Sequence, residues 1–347
     1  MFLLVILSTK MRNTKYFLAL IPGILAIAGN IVGGNYLWMN IAYNMLGMVL
    51  LDRILPEDKT PSKSKDNELV PNLVLLFSLL VHTLAILTLL MGVYSHSISG
   101  YYLFPAIVST GLNSGISGII SAHEMIHRKQ AWWQALGKWN LLIVNYSHFY
   151  IEHIKVHHKW VGTNKDAATA RYGESIYAFF LRTVPEQYLS AFQSEEKRLE
   201  QLGIKAFGWN NFVVRSTSIQ LLLAGFILAT LGVNVLLVYW GQSLVAIFLL
   251  EYVNYIEHYG LVRKEGEKYS AEHAWQSDTV ISRFSLIELS RHSDHHLKAS
   301  KQYQTLDSHI SSPVLPSGYF GVFYQVLIPA LWFKKVHPLL DKMYALK

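Results

Sequence analysis

The sequence predicts an all-α polytopic membrane protein with six transmembrane helices in three hairpins and a cytoplasmic helical domain that carries a histidine-rich di-metal site. Three observations support this fold class. The 347 residues are 52% hydrophobic and only 15% charged, which is too apolar for an ordinary soluble domain. Three long segments contain no Asp, Glu, Lys or Arg, and most of the fifteen histidines lie outside those segments, in compact groups.

Each charge-free segment is about twice as long as the roughly 20 residues that cross a bilayer as a helix. The segments cover residues 16–51, 69–122 and 216–250, and each has a break near its middle that is rich in Gly, Asn or Ser. Each segment is therefore interpreted as a helical hairpin. The predicted spans are about 16–33, 36–51, 69–93, 101–122, 216–232 and 235–250.

The distribution of basic residues predicts the orientation of these spans. None of the three breaks contains Lys or Arg, whereas the connections outside the segments contain all of them. We therefore expect a protein of the inner membrane whose two termini are both in the cytoplasm, as the positive-inside rule requires. Residues 123–215 and 251–347 become the cytoplasmic catalytic segments of one membrane-embedded domain, 1–347. The opening "MFLLVILS" is a weak match to a signal peptide, and whether residues 1–10 belong to the native protein is left open.

Charge and composition also limit the partners. The net charge is +7, and the basic excess lies on the predicted cytoplasmic face, where it would attract anionic lipid or an acidic protein. Nucleic acid is not expected, because the basic residues are scattered and no binding motif accompanies them. The absence of cysteine excludes disulfides, thiolate catalysis and iron–sulfur clusters held by this chain. The late apolar run "PVLPSGYFGVFYQVLIPALWF" predicts a helix on the cytoplasmic domain or at the membrane interface rather than a seventh span.

Nine histidines form four groups with the spacing of metal ligands. An i,i+4 or i,i+3 spacing puts two imidazoles on one face of a helix. The two histidines of "HEMIH" have this spacing, as do two of "EHIKVHH", which a third histidine adjoins, and the three of "RHSDHH". One more histidine follows the sixth span. The nine are His123, His127, His153, His157, His158, His258, His292, His295 and His296.

All four groups fall on the predicted cytoplasmic side, so convergence on one site is expected. A catalytic zinc site uses three protein ligands, and nine histidines therefore imply two metals. Neutral imidazole suits iron, copper, zinc and nickel, so the ligand type alone does not select the metal. An all-nitrogen ligand set with open positions fits a redox iron pair that binds dioxygen.

Several other residues are candidates for supporting roles. Metal-bound imidazoles usually donate their second N–H to a carboxylate or carbonyl. Residues near the ligands that could supply such contacts are Glu124, Glu152, Glu257, Asp294, Asn254, Tyr255 and His273, with surface or capping roles as the alternative. His82, inside a predicted span, is expected to be a neutral imidazole bonded to a neighbouring helix. Aromatic residues that could line a substrate channel, or simply pack, are Trp38, Tyr43, Phe77 and Phe104.

The histidine motifs resemble those of a known enzyme family. "HEMIHRK", "IEHIKVHHKWVGT", "NYIEHYGL" and "RHSDHH" are similar to segments of the integral-membrane alkane monooxygenases and the related xylene monooxygenase hydroxylase subunit, within the histidine-box class that includes fatty-acid desaturases. The resemblance implies a non-haem di-iron site held by the nine histidines. It also implies hydroxylation of a terminal or methyl carbon of an alkane-like or alkyl-arene substrate from the bilayer, with O2 as co-substrate and electrons from a rubredoxin or ferredoxin and its reductase.

Three alternative functions stay open at this stage. An acyl-chain desaturase or decarboxylase would use the same metal pair. An intramembrane zinc peptidase would use H-E-x-x-H with Glu124 as base, but it leaves most of the grouped histidines unexplained. A metal transporter would be expected to have ionisable groups within its spans, and these are almost free of them.

Overall fold

The structure is a computed structural model that describes residues 12–61 and 68–345. Within these ranges the regular structure is helical, apart from two isolated bridges, Glu57 with Thr279 and Gln276 with Val314. The predicted all-α class is therefore confirmed. The question about residues 1–10 lies outside the described residues.

The helices follow one another along the whole described chain. In order they are α1 (Asn13–Val32), α2 (34–54), α3 (Leu69–Tyr94), α4 (Gly100–Ile126), α5 (Ala131–Ile143), α6 (149–160), α7 (Ile176–Gln201), α8 (Phe212–Leu231), α9 (Val233–His258), α10 (Val280–Ser285), α11 (His292–Leu297), α12 (Phe323–Leu327) and α13 (Pro329–Ala345).

Five of these helices, among the residues that the structure describes, are long and apolar enough to cross a membrane: α1, α3, α4, α8 and α9. The predicted second span falls in α2, which is helical over its whole length but is not one of the five. It carries the buried amides of Asn40 and Asn44, and Asn40 Nδ2 donates to the Ser109 carbonyl of α4 at 2.7 Å. The count of six spans stays a prediction.

Short turns join the membrane helices in pairs. Gly33 and Gly232, with φ of 77° and 89°, connect α1 to α2 and α8 to α9. Such left-handed backbone angles favour glycine, which has no Cβ to clash. Residues 95–99 connect α3 to α4. Consequently α1, α3 and α8 begin at the end of the bundle where α2, α4 and α9 finish, and this end carries the histidines.

Helix α5 packs tightly on the last turns of α4. A Cβ on Gly137 would lie 2.9 Å from the Ala122 carbonyl oxygen, so only glycine permits this approach. Asn140 of α5 has its Oδ1 3.0 Å from Nδ1 of His82 in α3. The prediction that His82 bonds to a neighbouring helix is confirmed.

The second histidine group and the late apolar run both lie on helices other than the five long apolar ones. The second histidine group lies on α6, which is separate from α5. The helical conformation is interrupted between α5 and α6 at Asn145, whose φ is 59°. The late apolar run forms α12 and the start of α13, whose Trp332 and Val336 are buried. As predicted, this run is not among the candidate spans within 12–61 and 68–345.

Candidate metal centre

The nine histidines come together at the end of the bundle in two adjoining groups. His123, His127, His153, His158 and His295 form the first, which we call the five-histidine group. His157, His258, His292 and His296 form the second, the four-histidine group. Within each group, one ring nitrogen per residue lies within 4.8 Å of the others. The ring centroids of His158 and His296, one from each group, are 4.3 Å apart, so the two groups are in direct contact.

The ring nitrogens are arranged as a metal ion would require. In the five-histidine group, Nε2 of His158 lies 3.1 Å from Nε2 of His153 and 3.2 Å from Nε2 of His295. In the four-histidine group, Nε2 of His292 lies 3.1 Å from Nε2 of His258 and 2.9 Å from Nε2 of His296. Metal–nitrogen bonds of about 2.1 Å at near-right angles place nitrogens about 3 Å apart, which matches both sets.

Further ring nitrogens of the centre have no hydrogen-bond partner in the protein. The Nε2 atoms of His123, His127 and His157 are buried and unpaired among the described residues. An unpaired buried nitrogen is costly unless another group, such as a metal ion, contacts it. The histidine set therefore fits two metal ions, one for each group.

Helix geometry explains how neighbouring residues reach different groups. His123 and His127 are i,i+4 at the end of α4 and share the five-histidine group. In α11, His292 and His296 are also i,i+4 and share the four-histidine group. His295 points to the other group because consecutive residues of an α-helix differ by about 100° in direction.

The pairing in α6 goes beyond what the spacing predicts. The i,i+4 residues His153 and His157 share one face, with their rings stacked at 5.1 Å between centroids. They nevertheless belong to different groups, and His153 pairs with His158. The physical reason is the π-helical geometry of residues Glu152–His157. One turn of a π-helix spans about five residues, so the i,i+5 pair lies on one side, whereas an α-helix would separate it by roughly 140°.

Burial makes these imidazoles neutral. Desolvation is the main cause that lowers the pKa of His127 to about 3, and neighbouring histidines lower it further. The same two causes hold the pKa values of His153, His158, His295 and His296 well below the ordinary range. Neutral imidazole is the form that binds metals, so these histidines can bind metal ions at neutral pH.

Three ligand candidates have outer partners on their second ring nitrogen. Nδ1 of His157 lies 3.0 Å from Oδ2 of Asp166, and Nδ1 of His292 lies 3.2 Å from Oε1 of Glu257. Nδ1 of His258 lies 3.2 Å from the carbonyl oxygen of His273. Glu257 and His273 were predicted, although His273 contributes its backbone and not its ring. Asp166 was missed because it sits in the loop "TNKDAAT", eight residues after His158 and not adjacent to any candidate ligand in the sequence.

The other predicted supporting residues contact groups other than the ligands. Glu124 accepts a hydrogen bond from Nε of Arg128 at 2.8 Å. Asp294 accepts from Lys301 Nζ at 2.6 Å and lies 2.8 Å from Nε2 of His309. Each of these carboxylates is paired with a basic side chain, which explains why it does not contact a ligand imidazole.

Three more of the predicted residues have other partners, or none among the described residues, in place of a ligand ring. Asn254 Nδ2 donates to Oε2 of Glu251 at 3.1 Å, and the Tyr255 hydroxyl donates to the Glu174 carbonyl at 2.7 Å. The Glu152 carboxyl is fully buried with neither oxygen paired among the residues described. Burial, with smaller contributions from Asp166 and Glu251, raises its pKa well above the usual range.

An apolar cavity leads to both groups. It is walled by α2, α4, α9 and the segment before α12, and its apolar lining includes Met45, Val49, Ile116, Ile120, Leu249 and Val253. His123, His153 and His292 are at its inner end. A hydrocarbon chain in this cavity would therefore end beside both metal positions.

The aromatic residues predicted to line a channel do not line this cavity within the described chain. Trp38 packs against Phe104, with ring centroids 6.1 Å apart, and Phe104 is 60% exposed. Phe77 is 42% exposed on α3, and Tyr43 lies partly buried against the main apolar core. Aliphatic residues further along α2 and α4, namely Met45, Val49, Ile116 and Ile120, form the wall instead.

Comparison with known proteins gives the family. The family described as Fatty acid desaturase matches residues 99–325. The chain is 40% identical over 245 residues to alkane 1-monooxygenase 1 of Pseudomonas aeruginosa, which covers 69% of this chain and 64% of that protein. It is 37% identical over 234 residues to alkane 1-monooxygenase of Ectopseudomonas oleovorans, covering 66% and 58%.

A longer match extends over nearly the whole chain. It is 26% identical over 336 residues to the xylene/toluene monooxygenase hydroxylase component XylM of Pseudomonas putida, covering 93% of this chain and 87% of that protein. The match to the alkane 1-monooxygenase of P. aeruginosa spans just under two thirds of that relative's own length. The resemblance predicted from the histidine motifs is confirmed by these similarities.

Proposed function

Because this chain belongs to the fatty acid desaturase family, we propose that it is a membrane-bound non-haem di-iron monooxygenase. It would hydroxylate a terminal or methyl carbon of a hydrophobic, alkane-like or alkyl-arene substrate. The observation that carries the proposal is the apolar cavity whose inner end meets two all-histidine groups. The names of the similar proteins, alkane 1-monooxygenase and XylM, support the same reaction class.

The nine histidines would hold two iron ions, one in each group. When bound, the iron pair supplies activation of O2 for attack on an unactivated carbon–hydrogen bond. Iron is proposed over zinc because the reaction class needs a redox metal, and imidazole ligands suit both. Glu257, Asp166 and the His273 carbonyl would orient His292, His157 and His258 through their second ring nitrogens.

The protein's own part is placement and exclusion of water. The cavity is lined mainly by aliphatic residues of α2, α4 and α9, with few polar side chains such as Asn254 and Glu257, so orientation of the substrate comes mainly from the shape of the cavity. Burial of the inner end keeps bulk water away from the reacting carbon. The proposed substrate enters from the bilayer between the membrane helices.

The whole chain is proposed to act as one catalytic domain in the inner membrane. We place both termini and the histidine end in the cytoplasm, as the distribution of basic residues predicts. Electrons would come from a rubredoxin or ferredoxin with its reductase, since the chain has no cysteine to hold an iron centre of that type. An acidic carrier would be attracted to the basic cytoplasmic face.

The two enzymatic alternatives have different support. A desaturase or decarboxylase would use the same site, and the family match is compatible with it. A zinc peptidase would need Glu124 as a free base beside its metal, but that carboxylate is paired with the buried Arg128. The peptidase is therefore disfavoured on geometry.

Product analysis with labelled oxygen tests the proposal. Membranes containing the chain, a reductase and a rubredoxin are given an alkane and an alkyl-arene under ¹⁸O2. We expect an alcohol that carries one ¹⁸O atom, and no such product from a His295→Ala variant. An alkene without label would favour the desaturase, and labelled alcohol from the variant would refute the site assignment.

A further inference from the structure

A row of aromatic rings extends to the protein surface from the residues next to His258, a ligand candidate of the four-histidine group. Tyr259 follows the ligand candidate His258 in the chain, and Tyr255 lies one helical turn before it. The row, which we call the aromatic ladder, consists of Tyr255, Tyr259, Trp332, His337 and Tyr172. None of these residues has a role in the hydroxylation proposed above.

The rings of the ladder are close to one another at every step. The centroid of Tyr259 is 5.0 Å from that of Tyr255 and 5.5 Å from that of Trp332. The ring of His337 stacks on that of Tyr172 at 4.0 Å. The inner three residues are fully buried, whereas Tyr172 is 50% exposed. The ladder thus extends to solvent from a buried tyrosine that is adjacent in the chain to the ligand candidate His258.

The hydroxyl of Tyr259 has the partner that a redox-active tyrosine needs. It lies 2.9 Å from Nε2 of His337 and accepts a hydrogen bond from the backbone N–H of Gly173 at 2.9 Å. With that N–H as donor to its oxygen, the phenol proton is available for His337. Burial lowers the pKa of His337, so its ring is neutral and able to accept a proton at neutral pH.

We propose that the aromatic ladder reduces the metal centre when a strong oxidant forms there without substrate, so that oxidising equivalents leave the protein instead of destroying the ligands. This inference rests on the proposed function, because it needs O2 activation at the centre. Tyrosine gives up an electron only to a strong oxidant. The ladder is therefore a path for oxidising equivalents to leave and not the path by which a low-potential donor supplies electrons.

Each transfer conserves electrons and protons. In the inner step, Tyr259 passes one electron to the centre and its phenol proton to Nε2 of His337, which leaves a neutral phenoxyl radical and an imidazolium. In the outer step, Tyr172 passes one electron to the Tyr259 radical and the proton returns from His337. The phenol proton of Tyr172 goes to Asp341, whose Oδ1 is 3.2 Å away. A thiol in solution then gives a hydrogen atom to Tyr172, and two thiyl radicals combine to a disulfide.

Two other tyrosines near the centre are less suited to this role. The Tyr319 hydroxyl donates at 2.9 Å to Glu257, which itself contacts His292, so its proton would stay within the metal site. The hydroxyl of Tyr269 is buried and has no hydrogen-bond acceptor within the described part of the chain. Among these three tyrosines, Tyr259 alone is adjacent in the chain to a ligand candidate and has a histidine acceptor on the outward side.

Electron paramagnetic resonance tests the ladder. The iron-loaded full chain is reduced without substrate, mixed with O2 and frozen rapidly. We expect a tyrosyl radical in the wild type, loss of that signal in Tyr259→Phe and in His337→Phe, and retention in a Tyr177→Phe control. Tyr177 is an exposed tyrosine outside the ladder, and its hydroxyl donates to the Leu327 carbonyl. Tyr259→Phe should also show more oxidised His258 by mass spectrometry and fewer turnovers before inactivation.

A second arm separates this inference from the proposed function. The full chain is loaded with redox-inert zinc and oxidised from solution by a flash-excited ruthenium–bipyridine complex with persulfate. Transfer of the radical from Tyr172 to Tyr259, lost in Tyr172→Phe, supports the ladder even if the iron-loaded chain forms no alcohol, which would refute the proposed function alone. Alcohol formation with the same radical yield and the same durability in wild type and Tyr259→Phe would overturn the ladder.

Discussion

Replacement of Asp166 by Asn should weaken metal binding at the four-histidine group alone. Oδ2 of Asp166 is 3.0 Å from Nδ1 of His157, and it also accepts from Thr169 Oγ1 at 2.6 Å. Both Asp166 and His157 are buried. Asn keeps the shape but removes the charge that makes the imidazole more basic. Loss of such a partner typically costs about 10- to 100-fold in metal affinity, which corresponds to about 1.4 to 2.7 kcal/mol.

Metal stoichiometry under chelator competition measures this effect. The purified variant is dialysed against increasing chelator, and retained iron is counted by mass spectrometry. We expect half of the bound metal to leave at about 10- to 100-fold lower chelator than in wild type. The other half should leave as in wild type, because the side-chain hydrogen bonds of Asp166 go to His157, Ala168 and Thr169 and not to the five-histidine group.

Asp294→Asn is the matched control. Asp294 sits inside the "RHSDHH" motif, between ligand candidates, yet it contacts Lys301 and His309. We expect it to retain both metals at the wild-type chelator concentration. Equal losses in the two variants, or full retention in Asp166→Asn, would show that the outer contacts in the structure do not govern metal binding.

Three further predictions follow from the cavity, the histidines and the buried ion pair. Ile116→Trp should fill the apolar cavity and lower the alcohol yield from long substrates while the metal content stays at the wild-type value; unchanged yield would exclude this cavity as the route. In metal-free protein, burial lowers the pKa of His127 to about 3, against about 6.5 when unfolded. The contribution of neutral His127 to stability is therefore complete above about pH 6.5 and declines as pH falls toward about 3. The Tm should accordingly be lower at about pH 5 than at about pH 7.5, and a flat profile would contradict the neutral centre. Arg128→Met should destabilise the protein by about 3 to 5 kcal/mol, because it leaves Glu124 buried and unpaired; Glu124→Gln combined with Arg128→Met should recover most of the loss in a thermal unfolding assay, and no recovery would argue against the ion pair.

Much of the fold class was predictable because membrane helices leave a strong signal in sequence. Long charge-free segments can only satisfy their backbone in lipid as helices, and glycines at positive φ, namely Gly33, Gly34, Gly100 and Gly232, mark all three breaks. Helix α2 shows the limit of this reasoning. Buried Asn40 and Asn44 make the segment less apolar, and whether such a helix crosses the bilayer depends on what surrounds it.

The candidate ligands were predictable for a similar reason, since i,i+4 spacing fixes a direction within one α-helix. The sequence by itself therefore determined the all-α class, the charge-free spans and the nine grouped histidines. Only the tertiary structure decided how those histidines divide into two groups, because the π-turn in α6 pairs His153 with His158 and leaves His157 to the adjoining four-histidine group. It also decided that Asp166, and not Asp294, contacts a ligand candidate. Spacing along the chain fixes directions within a helix, whereas contacts between distant segments depend on how the helices pack.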